Sequence, residues 1–197
     1  MAELAKSAYA QVLRRLLQTK PLSRITVVDL AKESGLARMT FYYHFHDIFD
    51  LVDWMVSRDI SRILGANRTH DSWQEGFLAL FKAARKEHVL VLNICNSMSR
   101  GQIERSLTPS VRALLRSVIE EDGAAVGIPR KDIDFIASYY TYAFIGVMLD
   151  WIDEGMRQAP EEMVRRIDCV MGGSFTKAIS AFQSYSDAQK PYTGPSV

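Results

Sequence analysis

The chain has 197 residues, 48% of them hydrophobic, and balances 24 Lys and Arg against 23 Asp and Glu for a formal net charge of +1. That length suits one or two domains around a sizeable core, and the near-neutral balance excludes a partner recruited by bulk charge, so any nucleic-acid reading has to rest on a motif. No apolar run reaches the roughly 18 residues of a membrane span, the stretch 3–11 is polar where a signal core would be apolar, and Cys95 and Cys169 stand far apart as two buried free thiols do in a reducing compartment, so the expected location is the cytoplasm.

Apolar residues recur at three- and four-residue spacing almost throughout, with no β-alternation, repeat or low-complexity tract, which predicts an all-α fold. A first helix is predicted over residues 2–18 with Leu4, Ala8, Val12 and Leu16 on one face, and Thr19-Lys20-Pro21-Leu22 ends it because proline disfavours a helical residue before it. Thr26 caps a second helix, Asp29 three residues on completes a capping box, and Gly35 stops it. A short third helix is predicted over 37–43. Asp47 caps a fourth, with Ile48, Leu51, Val52, Met55, Ile60 and Ile63 facing inward. The polar, turn-rich stretch 65–71 sets a domain boundary. Beyond it helices are predicted over 72–86, 88–99, 103–122, 130–156 and 160–184, the last three punctuated by Gly123, by Gly127-Ile128-Pro129 and by the turn 155–160. The tail 186–197 is expected to be disordered.

The informative stretch is 25–51, ITVVDLAKESGLARMTFYYHFHDIFDL. It reads as two short helices joined by a tight turn, in which Val28, Leu30, Ala31 and Leu36 supply the apolar contacts and Gly35 takes the positive φ that closes the first helix. Ala31 is small enough to let the second helix cross closely. The second helix of such a pair lies in the major groove and presents its N-terminal side chains to base edges, here Arg38, Met39 and Thr40.

This segment resembles the DNA-binding domain of TetR-family regulators. The resemblance rests on Tyr42-Tyr43-His44-Phe45, which matches the Tyr-x-His-Phe ending of that family's recognition helix, and on Thr26, Ala31, Gly35 and Leu51. It covers residues 2–64 closely; the later helices match in number, order and length. Around Trp151, and at Tyr42-Tyr43, the chain is similar to the family's regulators of dihydroxyacetone utilisation. The resemblance implies a helix-turn-helix DNA-binding domain with its linking fourth helix over 1–64, and a helical dimerisation and ligand-binding domain over 65–185. It implies double-stranded operator DNA as partner, with Arg38 and Met39 facing bases and Thr40, Tyr42 and His44 reaching phosphates or the adjacent groove; Thr26 and Tyr43 complete the implied DNA-binding set. Chemistry agrees, because arginine can contact guanine O6 and N7 together and a tyrosine hydroxyl donates to phosphate without net charge. Many family members carry a lysine at the start of the fourth helix, where this chain has Ile48, so one phosphate contact is missing. The amides of that helix end can bind a phosphate, with Asp47 and Asp50 competing for the positive dipole.

Other readings of these residues stand beside the functional ones. The spacing of Phe41 and Phe45 puts them on an inner face, Tyr43 suits either packing or phosphate, and Arg38 outside this pattern is a solvated surface arginine. His44 and His46 lack Cys or carboxylate partners at ligand spacing, so no metal and no cofactor is expected.

In the C-terminal part, the helix over 130–156 is roughly 40 Å long and stripes Ile133, Ile136, Ala137, Tyr140, Phe144, Val147, Met148 and Trp151 along one side. The last helix carries Met163, Val164, Ile167, Val170, Met171, Ser174, Phe175, Ala178 and Phe182, and Gly146, Gly172 and Gly173 allow close approach. Two such helices are either internal core or, as the resemblance implies, a homodimer interface that sets two recognition helices about 34 Å apart. An effector pocket is expected among Trp73, Phe77, Phe81, Cys95, Met98, Tyr139, Tyr142 and Met148, which mix aromatics with a few polar handles and suit a small, fairly apolar or aromatic ligand; singly, each also reads as core. Effector control would run through the fourth helix as a pendulum, with repression the family default. The alternative is a co-regulator of the same fold acting mainly through a protein partner, which Ile48 and the near-neutral charge favour. No phosphate-cradling glycine loop, Gly-x-Ser-x-Gly elbow or metal cluster is present in the sequence, so no enzyme is expected.

Overall fold

A computed structural model of the chain describes residues 2–65, 73–122 and 125–188, and within these ten α-helices follow one another, with a 3-10 turn between the first two. They are α1 (Ala2–Leu17), the turn Leu22–Arg24, α2 (Val27–Ser34), α3 (Arg38–His44), α4 (Ile48–Leu64), α5 (Trp73–Lys86), α6 (His88–Ser97), α7 (Arg100–Glu121), α8 (Arg130–Asp153), α9 (Pro160–Met171) and α10 (Ser174–Ala188). Most of the expected linker, Gly123 and the expected tail beyond Ala188 lie outside the described residues.

Two apolar clusters organise the molecule. The first gathers Tyr9, Leu13 and Leu17 of α1, Leu30 of α2, Phe41 of α3 and Leu51, Val52 and Met55 of α4, together with Leu90, Ile94 and Met98 on and just after α6. The second takes the far end of α4 (Ile60 and Leu64), then α5, α7, α8, α9 and the start of α10. Core membership therefore crosses the boundary expected at residue 65: α6 packs against the N-terminal bundle, and α4 is shared by both clusters. A polar seam fixes α4 along α7, where Ser106 Oγ donates to Asp53 Oδ1 at 2.5 Å, Ser57 Oγ donates to the Ser106 carbonyl at 3.2 Å, and the Ser61 and Ser110 hydroxyls meet at 2.8 Å.

Several expectations need correcting. On α1 the buried stripe is Tyr9, Ala10, Val12, Leu13, Leu16 and Leu17; Leu4 is exposed and Ala8 only half-buried. On α2 Leu30 and Ala31 are buried, whereas Val28 faces solvent. The single helix expected over 160–184 is two helices, α9 and α10. The break falls at Gly172 and Gly173: Gly173 has φ +71°, and a Cβ at Gly172 would lie 2.8 Å from the Asp168 carbonyl oxygen. Val170 lies on the face of α9 away from Met163, Ile167 and Met171 and is exposed. The helix expected over 130–156 ends at Asp153, where Gly155 and Met156 both turn left-handed at φ +78° and +56°. Met156 holds that unfavourable conformation with a buried side chain and a 2.8 Å bond from its N–H to the Trp151 carbonyl, and Trp151 Nε1 donates to the Gln158 carbonyl at 3.0 Å. Finally, α8 does reach the length and apolar composition of a membrane span, although no uninterrupted apolar run does; one side of it, from Ile133 through Ile136, Phe144 and Met148 to Ile152, packs in the second cluster, while Phe135, Tyr139 and Tyr142 remain exposed.

Candidate nucleic-acid interface and inner cavity

The geometry of α2 and α3 starts from local chemistry. Thr26 Oγ1 accepts from the Asp29 N–H at 3.2 Å while Asp29 Oδ2 accepts from the Thr26 N–H at 2.9 Å, the reciprocal capping box, and these bonds from Thr26 hold the Asp29 carboxyl below its usual range. Gly35 closes α2 at φ +70°, a conformation that costs a side-chain-bearing residue. The turn is pinned from behind by Tyr9, whose hydroxyl donates to the Ala37 carbonyl at 3.0 Å and whose ring meets Phe41 edge-on at 5.3 Å. Phe41 is the one fully buried side chain of α3. Everything else on that helix is thereby turned outward or to the side.

Met39 is 77% and Tyr43 85% exposed; Arg38 and Tyr42 are also exposed, while Thr40 and His44 are half-buried. The structure so brings Arg38, Met39, Thr40, Tyr42, Tyr43 and His44 together on one short helix. Thr26 stands apart at the start of α2 with its hydroxyl engaged in the cap. At the start of α4, Asp47 Oδ1 accepts from the Asp50 N–H at 2.9 Å and Asp50 Oδ2 from the His46 N–H at 3.0 Å, so two carboxylates stand at that positive end; Ile48 is half-buried against the first cluster.

The eight residues expected to line one pocket do not share one. Trp73, Phe77 and Phe81 fill the second cluster, with Phe77 stacked on Phe144 at 3.6 Å and Phe81 edge-on to Trp151 at 4.9 Å. These three rings pack against one another and their neighbours, and none of them lines a cavity with Cys95 and Met148. Met98 belongs to the first cluster, and Tyr139 and Tyr142 stand 65% and 57% exposed on the outer face of α8. Cys95 and Met148 both line a cavity of about 300 Å³ that opens to solvent between α1, α4, α5, α6, α7 and α8. Its walls are buried and apolar, including Leu80, Leu90, Ile94, Leu107 and Ile152. Burial, with a smaller contribution from the Asp153 charge, pushes the Cys95 thiol up to about 11. Its rim carries Arg14, Asp59, Arg62, Lys86 and Glu87. Arg14 belongs to α1 and pairs with Asp59 of α4 and, at 3.1 Å, with Glu87 between α5 and α6.

Sequence reasoning missed Tyr9, Arg14 and Asn93. Asn93 of α6 accepts from the Leu22 N–H at 2.9 Å and donates to the Leu17 and Lys20 carbonyls at 3.0 and 2.8 Å, holding the corner between α1 and α2. All three act across 28 or more residues of chain, where no local pattern signals them. Among the described residues no group of three or more His, Cys, Asp or Glu side chains is placed to hold a metal.

A capped helix, a glycine turn and a second short helix with one buried anchor and an exposed polar and aromatic face define a helix-turn-helix protein, here fused to a larger helical domain with an internal cavity. Residues 71–173 match the family described as Transcriptional regulator C-terminal region, of the TetR type, and the chain belongs to the TetR family of transcriptional regulators. Among curated proteins it is similar to the dhaKLM operon transcriptional activator DhaS of Lactococcus lactis subsp. lactis (strain IL1403), 24% identical over 79 residues, or 40% of this chain. It is also similar to the uncharacterized HTH-type regulator YxbF of Bacillus subtilis (strain 168), 24% identical over 169 residues, or 83% of this chain. Each alignment takes in 42% of the relative, so the chain spans about two fifths of the length of the curated relatives it matches. Among solved structures the dihydroxyacetone kinase operon activator DhaS shares the fold with a TM-score of 0.65 at 19% identity, over 90% of this chain and 97% of that one. A TetR regulator from Rhodococcus sp. RHA1 follows at 0.61 and 16% identity, over 85% and 96%. The repressor AlkX from Dietzia sp. strain DQ12-45-1b, implicated in n-alkane biodegradation, gives 0.59 at 18% identity, over 88% and 96%.

Proposed function

We propose that the chain is a cytoplasmic, homodimeric regulator that binds operator DNA through α3 and whose DNA binding is modulated by a small effector held in the inner cavity, with repression as its mode. Residues 1–64 form the DNA-binding unit and 65–185 the effector and dimerisation unit, while the helix α10 runs on to Ala188, into the stretch first expected to be tail. The observation that carries the reading is the outward face of α3: Met39 and Tyr43 are large apolar or aromatic side chains left in solvent beside Arg38 and Tyr42, on a helix anchored from behind by Phe41 and Tyr9. Exposed large side chains on a rigid, short helix fit a groove better than they fit water. Arg38 and Met39 read bases, and Thr40, Tyr42, Tyr43 and His44 reach the backbone or the groove edge. Thr26, at the N-terminus of α2, completes the contact set. The effector-lining residues are Cys95 and Met148; the buried aromatics Trp73, Phe77 and Phe81 and Met98 shape the surrounding core, and Tyr139 and Tyr142 belong to the dimer face. The likeness to DhaS, an operon activator, supports the reading as a transcription regulator.

The test is binding to fragments of DNA flanking the chain's own gene at several salt concentrations, with Arg38→Ala and Tyr42→Phe beside the wild type. Site-selective binding is expected, with Arg38→Ala losing selectivity by about tenfold or more and Tyr42→Phe losing affinity evenly across sequences. A second reading, a co-regulator acting mainly through a protein partner, is favoured by the two carboxylates at the start of α4 and the net charge of +1. Weak, salt-sensitive and sequence-indifferent binding would select it instead.

A further inference from the structure

Resting on the reading of the inner cavity as the effector site, we infer that its ligand is an amphiphilic anion: an apolar body inside the cavity and a carboxylate-like head at the rim, where it takes Arg14 from its present partners. The walls decide the body. Leu80, Leu90, Ile94, Leu107 and Ile152 are buried and apolar, and Cys95 is a neutral thiol, so no wall group can balance a buried charge. A volume of about 300 Å³ lies at the small end of ligand pockets. The rim decides the head. Three cations, Arg14, Arg62 and Lys86, stand against two carboxylates, Asp59 and Glu87. Asp153, the next carboxylate felt by the cavity, is approached by Arg100 at 3.9 Å. Lys86 is exposed, and Arg62 reaches Asp59 only at 3.4 Å with most of its side chain in solvent. A cationic head would meet this surplus of positive charge; an anionic head is drawn to it.

Arg14 gives the head a consequence. It is the rim residue contributed by α1, and its guanidinium joins α1 to Asp59 on α4 and to Glu87 at the α5–α6 corner. A ligand carboxylate can accept two parallel N–H bonds from a guanidinium, so it competes directly for the donors that now hold these elements together. Occupancy would therefore loosen the tie between the cavity rim and the helix-turn-helix unit.

The test is calorimetric binding of octanoate, 1-octanol and octylamine to the intact chain, for the wild type, Arg14→Gln and Glu87→Gln, with circular dichroism checking that each variant is folded. Octanoate is expected to bind about tenfold more tightly than 1-octanol, with octylamine weakest. Arg14→Gln should erase the advantage of octanoate over 1-octanol, and Glu87→Gln, which frees Arg14 of a competitor, should enlarge it. If Arg14→Gln fails to fold, Glu87→Gln alone decides, and an unchanged octanoate-to-octanol ratio in it overturns the role of Arg14. Equal binding of octanoate and 1-octanol by the wild type, or tightest binding of octylamine, overturns the anionic head and leaves the cavity reading standing. Binding of none of the three overturns both.

Discussion

Tyr9 shows how one buried side chain can set the position of the short helix α3 from behind. Its hydroxyl is the donor to the Ala37 carbonyl at the turn before α3, and burial pushes its ionisation upward, so it stays a neutral donor. Tyr9→Phe keeps the edge-on packing with Phe41 and removes only that bond. It should lower stability by about 0.5–1.5 kcal/mol in urea unfolding and weaken DNA binding without altering base preference. A changed base preference would mean that Tyr9 does more than position. Cys95 offers a second residue-level prediction. Its thiol is pushed up to about 11 and lies in the cavity wall, whereas Cys169 is exposed. Because the thiolate is the reactive form, an alkylating reagent at pH 8 should modify one cysteine quickly and the other slowly, with mass mapping placing the fast site at Cys169. Local chemistry of this scale was partly legible in the sequence. Thr26 with Asp29 and the Asp47 cap could be read because donor and acceptor lie three residues apart. The bond from Tyr9 to Ala37 could not, because it joins residues 28 apart.

Among the elements, α6 carries most of the information that the sequence withheld. Its position in the chain assigns it to the C-terminal domain, yet Leu90 and Ile94 pack in the N-terminal cluster and also line the cavity. Periodicity tells which face of a helix is apolar but not which neighbour covers it, so this double role was invisible until packing was known. The same limit explains α9 and α10. A Gly-Gly pair within an apolar-periodic stretch is compatible with a helix interior or a break, and only the sign of φ at Gly173 decides. Asn93 is what makes α6 a clamp, since its amide satisfies one N–H and two carbonyls at the corner between α1 and α2. Asn93→Ala leaves those backbone groups without their partner and should cost about 1–3 kcal/mol in global stability. Hydrogen exchange should locate the loosening at residues 17–22 and spare α8. Uniform loss of protection across the molecule would instead make Asn93 an ordinary core residue.

For the molecule as a whole, the outer face of α8 sets the last expectation. Phe135, Tyr139 and Tyr142 follow one another at four- and three-residue spacing and remain exposed, and Phe182 of α10 lies against Phe135 with ring centroids 5.9 Å apart. Gly146 continues the stripe one turn further, where the Arg100 guanidinium reaches its carbonyl at 3.4 Å. An aromatic strip of this kind is unfavourable in water, and the same strip of a second copy placed about a two-fold axis would cover it, which is the basis for the proposed homodimer. Two of the residues first expected around a ligand, Tyr139 and Tyr142, thus lie where a second copy would cover them. Replacing Phe135 and Tyr139 together by glutamate puts like charges opposite each other across such an axis. Sedimentation at micromolar concentration should then find a monomer where the wild type is a dimer. Operator affinity should fall by orders of magnitude, because the two half-sites are no longer held one DNA turn apart. Ligand binding in the inner cavity should persist, since neither residue lines it. A double variant that remains dimeric would move the interface off α8, and loss of ligand binding along with dimerisation would show that the cavity forms only in the assembled dimer.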